Sequence, residues 1–388
     1  MEEAKRIEHS STLRLLNQKR LSLIVDLDQT IVHATRDNPH TNFAAADDEA
    51  EAVVLGDITS FYLPRTPMKH YVKLRPGLRT FLSEASKLYD LHIYTMGARS
   101  YAEAVANFID PKREFFKERI VSRDENGPMM LKSIKRLFPC DSSMVVIIDD
   151  REDVWNNSPN LLRVAPYSFF ADDDINAPVW AKPHLVNSAS RKPTNQSTAS
   201  DDQEKDGGED NSGSRERRSP LMQRSRAMAT FRNGRLFDDD DDLETILDIL
   251  KSIHASWYGS YVPPSPTSGG PSDLDSMILP QSSRIMTELK SQVLDGTVLV
   301  FSSVVPLGMD PVRSEWGVLA RGFGAKVHHN VGKSVTHIVA NKPGTDKVAW
   351  AIKHNKDHPD APVHIVTLGW LLESAMKWQR QYESRYVL

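Results

Sequence analysis

The residues best suited to chemistry lie in one short stretch, Leu23 to Thr30, where an apolar run ends in two carboxylates. Residues two apart on a strand face the same side, so Asp26 and Asp28 begin aimed together. Such a pair supports phosphoryl transfer when one carboxylate attacks phosphorus, the other moves a proton and a divalent cation offsets their charge. The alternative is a buried strand ending in a polar turn, because Asp and Thr are common turn residues.

Length and composition narrow the class of protein. A chain of 388 residues predicts about two to three domains. The single cysteine, Cys140, excludes an internal disulfide framework and predicts a reducing intracellular compartment. The sequence contains no secretory signal and no apolar run of membrane-spanning length, so we expect a soluble protein without a membrane partner. The net charge of -4 is too small to indicate direct nucleic-acid binding.

The first half of the chain alternates apolar β runs with helical patterns. This alternation predicts an α/β fold with a parallel sheet covered on both faces. Two further β segments between the first strand and the first helix, separated by prolines, predict a hairpin or flap that overhangs the site. The apolar runs of the predicted sheet are 21–25, 91–94, 120–121, 144–148 and 161–164, and those of the flap are 61–63 and 71–74.

In a parallel sheet, ligands bind outside the carboxyl ends of the strands, and three of these ends carry chemically useful side chains. Carboxylates, a hydroxyl donor and a lysine together suit a Mg²⁺-assisted phosphate site. Taken singly, the acidic pair is explained as a turn and the threonine as a capping residue, but their combination favours a site. The residues are Asp26, Asp28 and Thr30 after the first strand, Thr95 after the second, Lys132 between strands, and Asp149 and Asp150 after the longest one.

Four strings resemble a known family. They are DLDQT (26–30 with its preceding strand), LRPG (74–77), YTMG (94–97) and VVIIDDRED (145–153). They resemble the DxDxT phosphatases of the haloacid dehalogenase superfamily, and more narrowly the TFIIF-associating phosphatases of the RNA polymerase II C-terminal domain. The resemblance covers residues 21–183 and implies a haloacid-dehalogenase-like sheet with an inserted flap.

The resemblance also implies a role for each matched residue. Asp26 would be the nucleophile that forms an aspartyl phosphate, and Asp28 the acid for the leaving serine oxygen and then the base for water. Thr95 and Lys132 would hold phosphate. Mg²⁺ would be bound by Asp26, the Asp28 carbonyl and Asp150, with Thr30 and Asp149 in support and Asp149 orienting Lys132. Arg75 and Arg123 match basic residues beside the substrate channel, although each can equally form a structural ion pair. His33 is interpreted as a local hydrogen-bonding partner rather than a base.

The middle of the chain is predicted to link two folded units. Residues 186–237 form a polar tract that cannot bury enough surface to order itself, and the RERR string at 215–218 is weak evidence for a nuclear address. Residues 238–285 predict a helical spacer, whose five-aspartate run suits a helix N-terminus. The segment 261–268 resembles the Tyr, Ser, Pro and Thr heptads of the RNA polymerase II C-terminal domain, the substrate that the family resemblance implies. It is interpreted either as a Pro-rich linker or as a mimic of that substrate.

The last segment, residues 286–388, predicts a small α/β unit. It resembles a BRCT domain through LDGTVLVFS (294–302), the Gly322-x-Gly324 pair, THIV (336–339) and Trp370. Ser302, Ser303 and Lys347 match the residues of the phosphate pocket in that family. Their hydroxyl and ammonium groups are suitable hydrogen-bond donors to a phosphate. The alternative is a domain that binds unmodified protein or packs on its neighbour, with Lys347 solvated on its helix.

Together these observations predict a Mg²⁺-dependent phosphoserine and phosphothreonine protein phosphatase. It would act in the nucleus on the phosphorylated C-terminal tail of RNA polymerase II, with TFIIF as a further partner. The alternatives are a phosphatase for another phosphoprotein or a small phosphomonoester, and a non-catalytic BRCT scaffold for phosphoproteins. The predicted domains are 1–185 (phosphatase), 186–237 (linker), 238–285 (spacer) and 286–388 (BRCT).

Overall fold

The structure is a computed structural model that describes residues 2–38, 57–64, 66–126, 131–170, 229–232, 235–263 and 278–388. Three features discussed above lie outside the described residues: most of the polar tract, including residues 215–218, the end of the Pro-rich segment, and the last part of the phosphatase resemblance. In the described residues, no helix combines the length and apolar character needed to cross a membrane.

The first half folds around a five-stranded parallel sheet. Its strands lie in the order β6 (Ile120–Val121), β5 (Tyr89–Tyr94), β1 (Leu21–Val25), β7 (Val145–Asp149) and β8 (Leu161–Arg163). Every residue of the central strand β1 and of its neighbour β7 is buried, which explains why both segments are predominantly apolar, with Ser22 and Asp149 as the exceptions. The predicted parallel sheet is confirmed. Its elements are α1 (Glu2–Gln18), β1 (Leu21–Val25), β2 (Val32–Thr35), β3 (Ile58–Tyr62), β4 (Lys69–Leu74), α2 (Leu78–Leu88), β5 (Tyr89–Tyr94), α3 (Arg99–Ile109), β6 (Ile120–Val121), α4 (Arg123–Asn126), β7 (Val145–Asp149) and β8 (Leu161–Arg163).

The predicted flap is an antiparallel sheet of three strands rather than two, in the order β2-β4-β3. The added strand β2 begins two residues after Thr30, so the flap starts directly at the predicted site. His33 lies on β2, and its Nδ1 accepts hydrogen bonds from the backbone N–H groups of Phe169 and Phe170 at 2.9 and 3.0 Å. His33 is a hydrogen-bonding partner, but its partners lie 136 and 137 residues later in the sequence, so it ties the flap to the segment after β8 and is not a local contact.

The helical segment predicted as a spacer forms part of the first core. Two helices, α5 (Asp242–Ser260) and α6 (Ser282–Gln292), follow a hairpin of β9 (Ala229–Arg232) and β10 (Arg235–Asp238). The apolar stripe of α5 is buried in the same cluster as β1, and Trp257 donates its indole N–H to the Ser143 carbonyl at 3.1 Å. The hairpin lies where only a polar linker is predicted. Its sequence signal is the Asn-Gly dipeptide at 233–234, which is typical of two-residue turns.

The C-terminal unit has a four-stranded parallel sheet in the order β12-β11-β13-β14, which confirms the predicted small α/β fold. Trp370 is fully buried, stacks on His337 with ring centroids 4.6 Å apart, and donates its N–H to the Gln381 carbonyl at 2.8 Å. The elements are β11 (Val298–Ser302), α7 (Glu315–Gly322), β12 (Lys326–His328), β13 (His337–Ala340), α8 (Asp346–Asp357), β14 (His364–Val366) and α9 (Leu368–Lys377).

Candidate active site

The two carboxylates that open the site are separated by a sharp change of chain direction after β1. Asp26 continues the parallel ladder, donating its N–H to the Ile148 carbonyl at 3.1 Å. Gln29 then takes a left-handed conformation (φ 59°), which is uncommon for a residue with a side chain and concentrates at functional sites. The turn leaves Asp26 buried and Asp28 partly exposed. The two carboxylates therefore meet different environments although they are two residues apart.

Lys132 is placed between two carboxylates at the ends of neighbouring strands. Its Nζ lies 2.6 Å from Asp26 Oδ1 and 2.6 Å from Asp149 Oδ2, and its side chain is 2% exposed. The backbone N–H of Lys132 donates to the Val154 carbonyl at 2.8 Å, which fixes the segment that carries it. Although burial alone would lower the pKa of Lys132, the two carboxylates raise it above its ordinary value, so the ammonium stays charged.

The acidic pair at the end of β7 is held in place by separate partners. Asp149 Oδ2 also accepts the indole N–H of Trp155 at 2.7 Å. Asp150 accepts the Thr30 hydroxyl at 3.2 Å and donates its own backbone N–H to that oxygen at 3.2 Å. Thr30, predicted as a supporting residue, thus joins the first strand end to the last.

Three carboxylates at this point form a group that fits a divalent cation. One oxygen each from Asp26, Asp149 and Asp150 lies within 4.8 Å of the others, and all three residues are buried. Burial, with the Asp149 carboxylate adding to it, raises the pKa of Asp26 to about 7. Burial and the neighbouring Asp149 and Asp26 carboxylates raise the pKa of Asp150 well above its usual range. Crowded oxygen donors of this type are the ligands that Mg²⁺ prefers, since a cation relieves the repulsion.

The second carboxylate, Asp28, has a partner that its sequence spacing does not predict. The hydroxyl of Tyr101, at the start of α3, donates a short hydrogen bond to Asp28 Oδ1. Gly97 allows this approach, because a Cβ at that position would lie 2.6 Å from Cδ1 of Tyr101. The Tyr101 ring is packed in turn against Phe61 and His70 of the flap, with centroids 6.1 and 6.4 Å away.

Thr95, at the end of β5, completes the lining of the cleft. Its hydroxyl oxygen accepts the backbone N–H of Gly97 at 2.9 Å, and the side chain is buried. The strand ends predicted to converge do so, because β5, β1 and β7 are adjacent and parallel. The cleft is lined by Asp26, Asp28, Gln29, Thr95, Met96, Gly97, Lys132, Asp149, Asp150, Arg151 and Val154.

Comparison with known proteins gives the family. A family model for NLI interacting factor-like phosphatases matches residues 21–182, and one for the BRCA1 C-terminal (BRCT) domain matches residues 290–375. A solved structure of the fission yeast RNA polymerase II CTD phosphatase Fcp1, bound to beryllium fluoride, aligns with a TM-score of 0.69 at 35% identity. That alignment covers 98% of this chain and 100% of the other. The chain belongs to the NLI interacting factor-like phosphatase family.

Two curated relatives of this chain are named as C-terminal domain phosphatases of RNA polymerase II. The Schizosaccharomyces pombe protein is 36% identical over 448 residues, which cover 100% of this chain and 60% of the relative. The Saccharomyces cerevisiae protein is 30% identical over 449 residues, covering 96% of this chain and 58% of the relative. The chain therefore spans about three fifths of the length of these two relatives.

Arg75 of this family member is not among the residues that line the cleft, which differs from the predicted substrate contact. Its side chain is fully buried and forms a bidentate ion pair with Asp240 at 2.8 and 3.1 Å. A side chain without exposed surface cannot reach a peptide in the cleft, so the structural ion pair describes Arg75. Arg123 is exposed, and its backbone N–H donates to the Gly97 carbonyl at 3.0 Å. It borders the cleft, and its contact with substrate stays a prediction.

The predicted phosphate pocket of the BRCT domain is built differently from the candidate active site. Ser302 is buried, with its hydroxyl 2.6 Å from that of Thr345, whereas Ser303 is exposed in a left-handed conformation (φ 58°). The Lys347 ammonium donates to the carbonyls of Phe301 and His329 at 2.9 and 3.0 Å. Lys347 is thus engaged within the domain rather than solvated, and phosphate binding here stays a prediction.

Several residues of the site are absent from the sequence-based prediction. Tyr101 and Trp155 have no predicted role, and Asp240 is predicted only as part of the aspartate run at a helix N-terminus. Helical spacing identifies a buried ring but carries no signal for its hydroxyl, and no local pattern marks a contact made by Asp240 with a residue 165 positions earlier. An aromatic residue a few positions after Thr95, the threonine predicted to hold phosphate, is the nearest available signal for Tyr101.

Proposed function

We propose that this chain is a Mg²⁺-dependent phosphoprotein phosphatase that hydrolyses phosphoserine and phosphothreonine in the heptad repeats of the RNA polymerase II C-terminal domain. The observation that carries the proposal is the placement of Lys132 between Asp26 and Asp149, beside the Asp28 carboxylate held by Tyr101. The choice of substrate is supported by the substrate named for the two yeast relatives.

In the proposed reaction, Asp26 attacks the phosphorus, and the Lys132 ammonium neutralises the incoming phosphate oxygens. Thr95 adds a hydroxyl at the same strand edge. Asp28 protonates the serine oxygen as it leaves and later takes a proton from the water that hydrolyses the aspartyl phosphate. The Tyr101 hydrogen bond holds the Asp28 carboxyl toward the reacting atoms. Arg123 is proposed to contact the substrate at the cleft border.

The residues that would hold Mg²⁺ are Asp26, Asp150 and the Asp28 carbonyl, with Asp149 nearby. When bound, the cation supplies Lewis-acid stabilisation of the phosphoryl oxygens and reduces repulsion at the approaching carboxylate. The three grouped carboxylates support this assignment, because uncompensated negative charge at such burial is costly. Mg²⁺ is proposed rather than a softer metal, because all the ligand atoms that the site offers are oxygens.

The two aspartates at the end of β1 are proposed to differ in protonation during turnover. Asp26 must be ionised to attack, whereas Asp28 must carry a proton when serine leaves. The Lys132 ammonium, 2.6 Å from Asp26, and the cation both favour negative charge on that carboxylate. Asp28 is partly exposed and accepts its hydrogen bond from a neutral tyrosine hydroxyl, so its surroundings differ from those of Asp26.

The Asp28→Asn variant tests this function. With a phosphorylated heptad peptide and MgCl₂, wild type should release phosphate continuously. With p-nitrophenyl phosphate, whose leaving group departs without an acid, the variant should accept phosphate at Asp26 and fail to turn over, which mass spectrometry of the acid-quenched protein detects as a mass increase on the peptide containing Asp26. With the phosphopeptide the variant should be slow in both steps, because the side-chain amide cannot protonate the leaving serine oxygen. A wild-type chain that hydrolyses neither phosphopeptide nor p-nitrophenyl phosphate in Mg²⁺ would contradict the enzyme proposal and favour the scaffold alternative.

Substrate class is tested by comparing catalytic efficiencies. A much higher kcat/KM for the phosphorylated heptad peptide than for an unrelated phosphoserine peptide or p-nitrophenyl phosphate is expected. Equal efficiencies would favour a general phosphomonoesterase. Residence in the nucleus and contact with TFIIF are further proposals that rest on the family resemblance. The BRCT domain is proposed to position the polymerase tail or its associated proteins.

A further inference from the structure

The aspartate run 238–242 contacts Arg75, a buried residue that is hydrogen-bonded to the turn of the candidate active site. Asp240 pairs both carboxylate oxygens with the Arg75 guanidinium, at 2.8 Å to Nε and 3.1 Å to Nη2. Asp242 adds a third contact to Nη2 at 2.8 Å. The side chains of Arg75 and Asp240 are 0% and 1% exposed, so this pair is removed from water. These aspartates therefore do more than begin a helix.

The opposite edge of the same guanidinium holds the catalytic turn. Nη1 of Arg75 donates to the Thr30 carbonyl at 2.8 Å and to the Ala165 carbonyl at 3.1 Å. The Thr30 hydroxyl is in turn the partner of Asp150. A continuous set of hydrogen bonds thus runs from Asp240 through Arg75 and Thr30 to Asp150, and all four residues are buried.

A second connection runs beside the first. Asp238 accepts the Tyr167 hydroxyl at 2.7 Å and lies 3.5 Å from the Lys73 ammonium. The backbone N–H of Tyr167 donates to the carbonyl of Gln29, the left-handed residue of the turn, at 2.7 Å. Asp240 therefore connects to Thr30 through Arg75. Asp238 connects to the adjacent residue Gln29 through Tyr167.

Charge and geometry explain why these contacts bear on the turn. A guanidinium buried without a counter-ion is strongly unfavourable, so Arg75 keeps its position only while the aspartates are docked. Bidentate pairing also fixes the plane of the guanidinium and so the direction of its remaining N–H groups. The Thr30 carbonyl lies two residues after Asp28. A small displacement of the backbone there changes the orientation of the Asp28 carboxyl group.

We propose that Asp240, assisted by Asp242, is a positioning residue for the phosphatase reaction. It aligns Arg75, which fixes the Thr30 carbonyl and thereby the turn carrying Asp28 and the hydroxyl that holds Asp150. The segment starting at Asp238 is then a working part of the active site rather than a spacer. The inference rests on the proposed phosphatase function.

The test compares Asp240→Asn with Asp241→Asn in the full chain. Asp241 is exposed, adjacent in sequence and makes no side-chain hydrogen bond to the helix N-terminus, so it is a matched control. With a phosphorylated heptad peptide, Asp240→Asn should lower kcat by roughly 10-fold or more, the usual effect of losing a hydrogen bond to a charged group, with KM within about two-fold. Asp240→Glu, which keeps the charge, should recover part of kcat.

A second measurement does not depend on turnover. Tryptophan fluorescence, to which Trp155 beside Asp149 contributes, reports MgCl₂ titration of the site. Asp240→Asn should raise the half-saturating Mg²⁺ concentration relative to Asp241→Asn, because Asp150 loses its alignment. Near-UV circular dichroism at the assay temperature establishes that both variants are folded. If Asp240→Asn does not fold, Asp242→Asn, which removes one partly exposed contact, takes its place with a smaller expected effect in the same direction.

The outcomes separate the two proposals. Equal kcat and equal Mg²⁺ titration for Asp240→Asn and Asp241→Asn would overturn the positioning role while leaving the phosphatase intact. A raised KM with unchanged kcat would also overturn it. An inactive wild type would overturn the proposed function and with it the role of Asp240 in that reaction, and the fluorescence titration would then show only whether Asp240 aligns Asp150 for Mg²⁺.

Discussion

The ammonium nitrogen of Lys132 lies 2.6 Å from Oδ1 of Asp26, at the carboxyl end of the central strand. This pair places the positive charge of the site against the proposed nucleophile. Because Lys132 makes an equal contact with Asp149, it also holds two strand ends together against their own repulsion.

Replacing Lys132 by methionine should therefore affect both stability and activity. Removing one partner of a buried ion pair typically costs about 3–5 kcal/mol, because the remaining charges are left uncompensated. We expect a lower Tm without cation, a steeper rise of Tm with MgCl₂ than in wild type, and loss of peptide hydrolysis. Differential scanning fluorimetry measures the first two. Lys135→Met, an exposed neighbour, is the control, and a Lys132→Met chain as stable as this control would contradict the assignment.

Tyr101→Phe should lower kcat while leaving the fold intact. The ring keeps its contacts with Phe61 and His70, whereas Asp28 loses its hydroxyl partner. A hydrogen bond to a charged group contributes about 1.5–3 kcal/mol, so kcat should fall by roughly 10- to 100-fold. Steady-state kinetics on the phosphopeptide measure kcat for Tyr101→Phe and wild type. Tyr62→Phe, at an exposed position, is the control. An unchanged kcat would show that the hydroxyl is dispensable.

Stabilisation by Mg²⁺ should increase with pH. Below the raised pKa of Asp26, about 7, a proton competes with the cation for that carboxylate, whereas above it the carboxylate is free to bind. The rise of Tm at a fixed MgCl₂ concentration should therefore be larger at pH 8 than at pH 6, and EDTA should reverse it. Asp150→Asn should reduce the rise at both pH values, with exposed Asp248→Asn as the control. A rise independent of pH and of Asp150 would place the cation elsewhere.

Lys347→Met should destabilise the BRCT domain without altering phosphopeptide binding. Its ammonium donates hydrogen bonds to the Phe301 and His329 carbonyls, so it joins two segments of the domain. Calorimetry in an Asp26→Asn background, which cannot form the aspartyl phosphate, should give equal affinities for Lys347→Met and the exposed control Lys353→Met. A clear loss of phosphopeptide affinity in Lys347→Met alone would instead support the predicted phosphate pocket.

The convergence of Asp26, Thr95 and Asp149 could be predicted because parallel strands end at one edge of their sheet. Periodicity also locates the BRCT sheet and the buried stripe of α5. It does not predict which core that stripe joins, since an apolar face specifies burial and not a partner. For the same reason, the helical segment predicted as a spacer is found within the core of the first parallel sheet.

The contacts of Arg75 show the limit of local reasoning. Substrate contact and a structural ion pair are equally compatible with its sequence position, and the choice depends on Asp240, which folds back from 165 residues later. Tyr101 is similar, because the direction of its hydroxyl depends on how α3 is set against β1.

The chain of amino acids by itself determined the reactive groups of this protein: two carboxylates, a threonine, a lysine and an acidic pair at the ends of alternating apolar runs. Only the tertiary structure decided their surroundings, namely the tyrosine that holds Asp28, the ammonium shared by Asp26 and Asp149, and the aspartates that align Arg75. The physical reason is that strand order follows from local pattern and chain chirality, whereas hydrogen-bond partners and desolvation arise from segments distant in sequence.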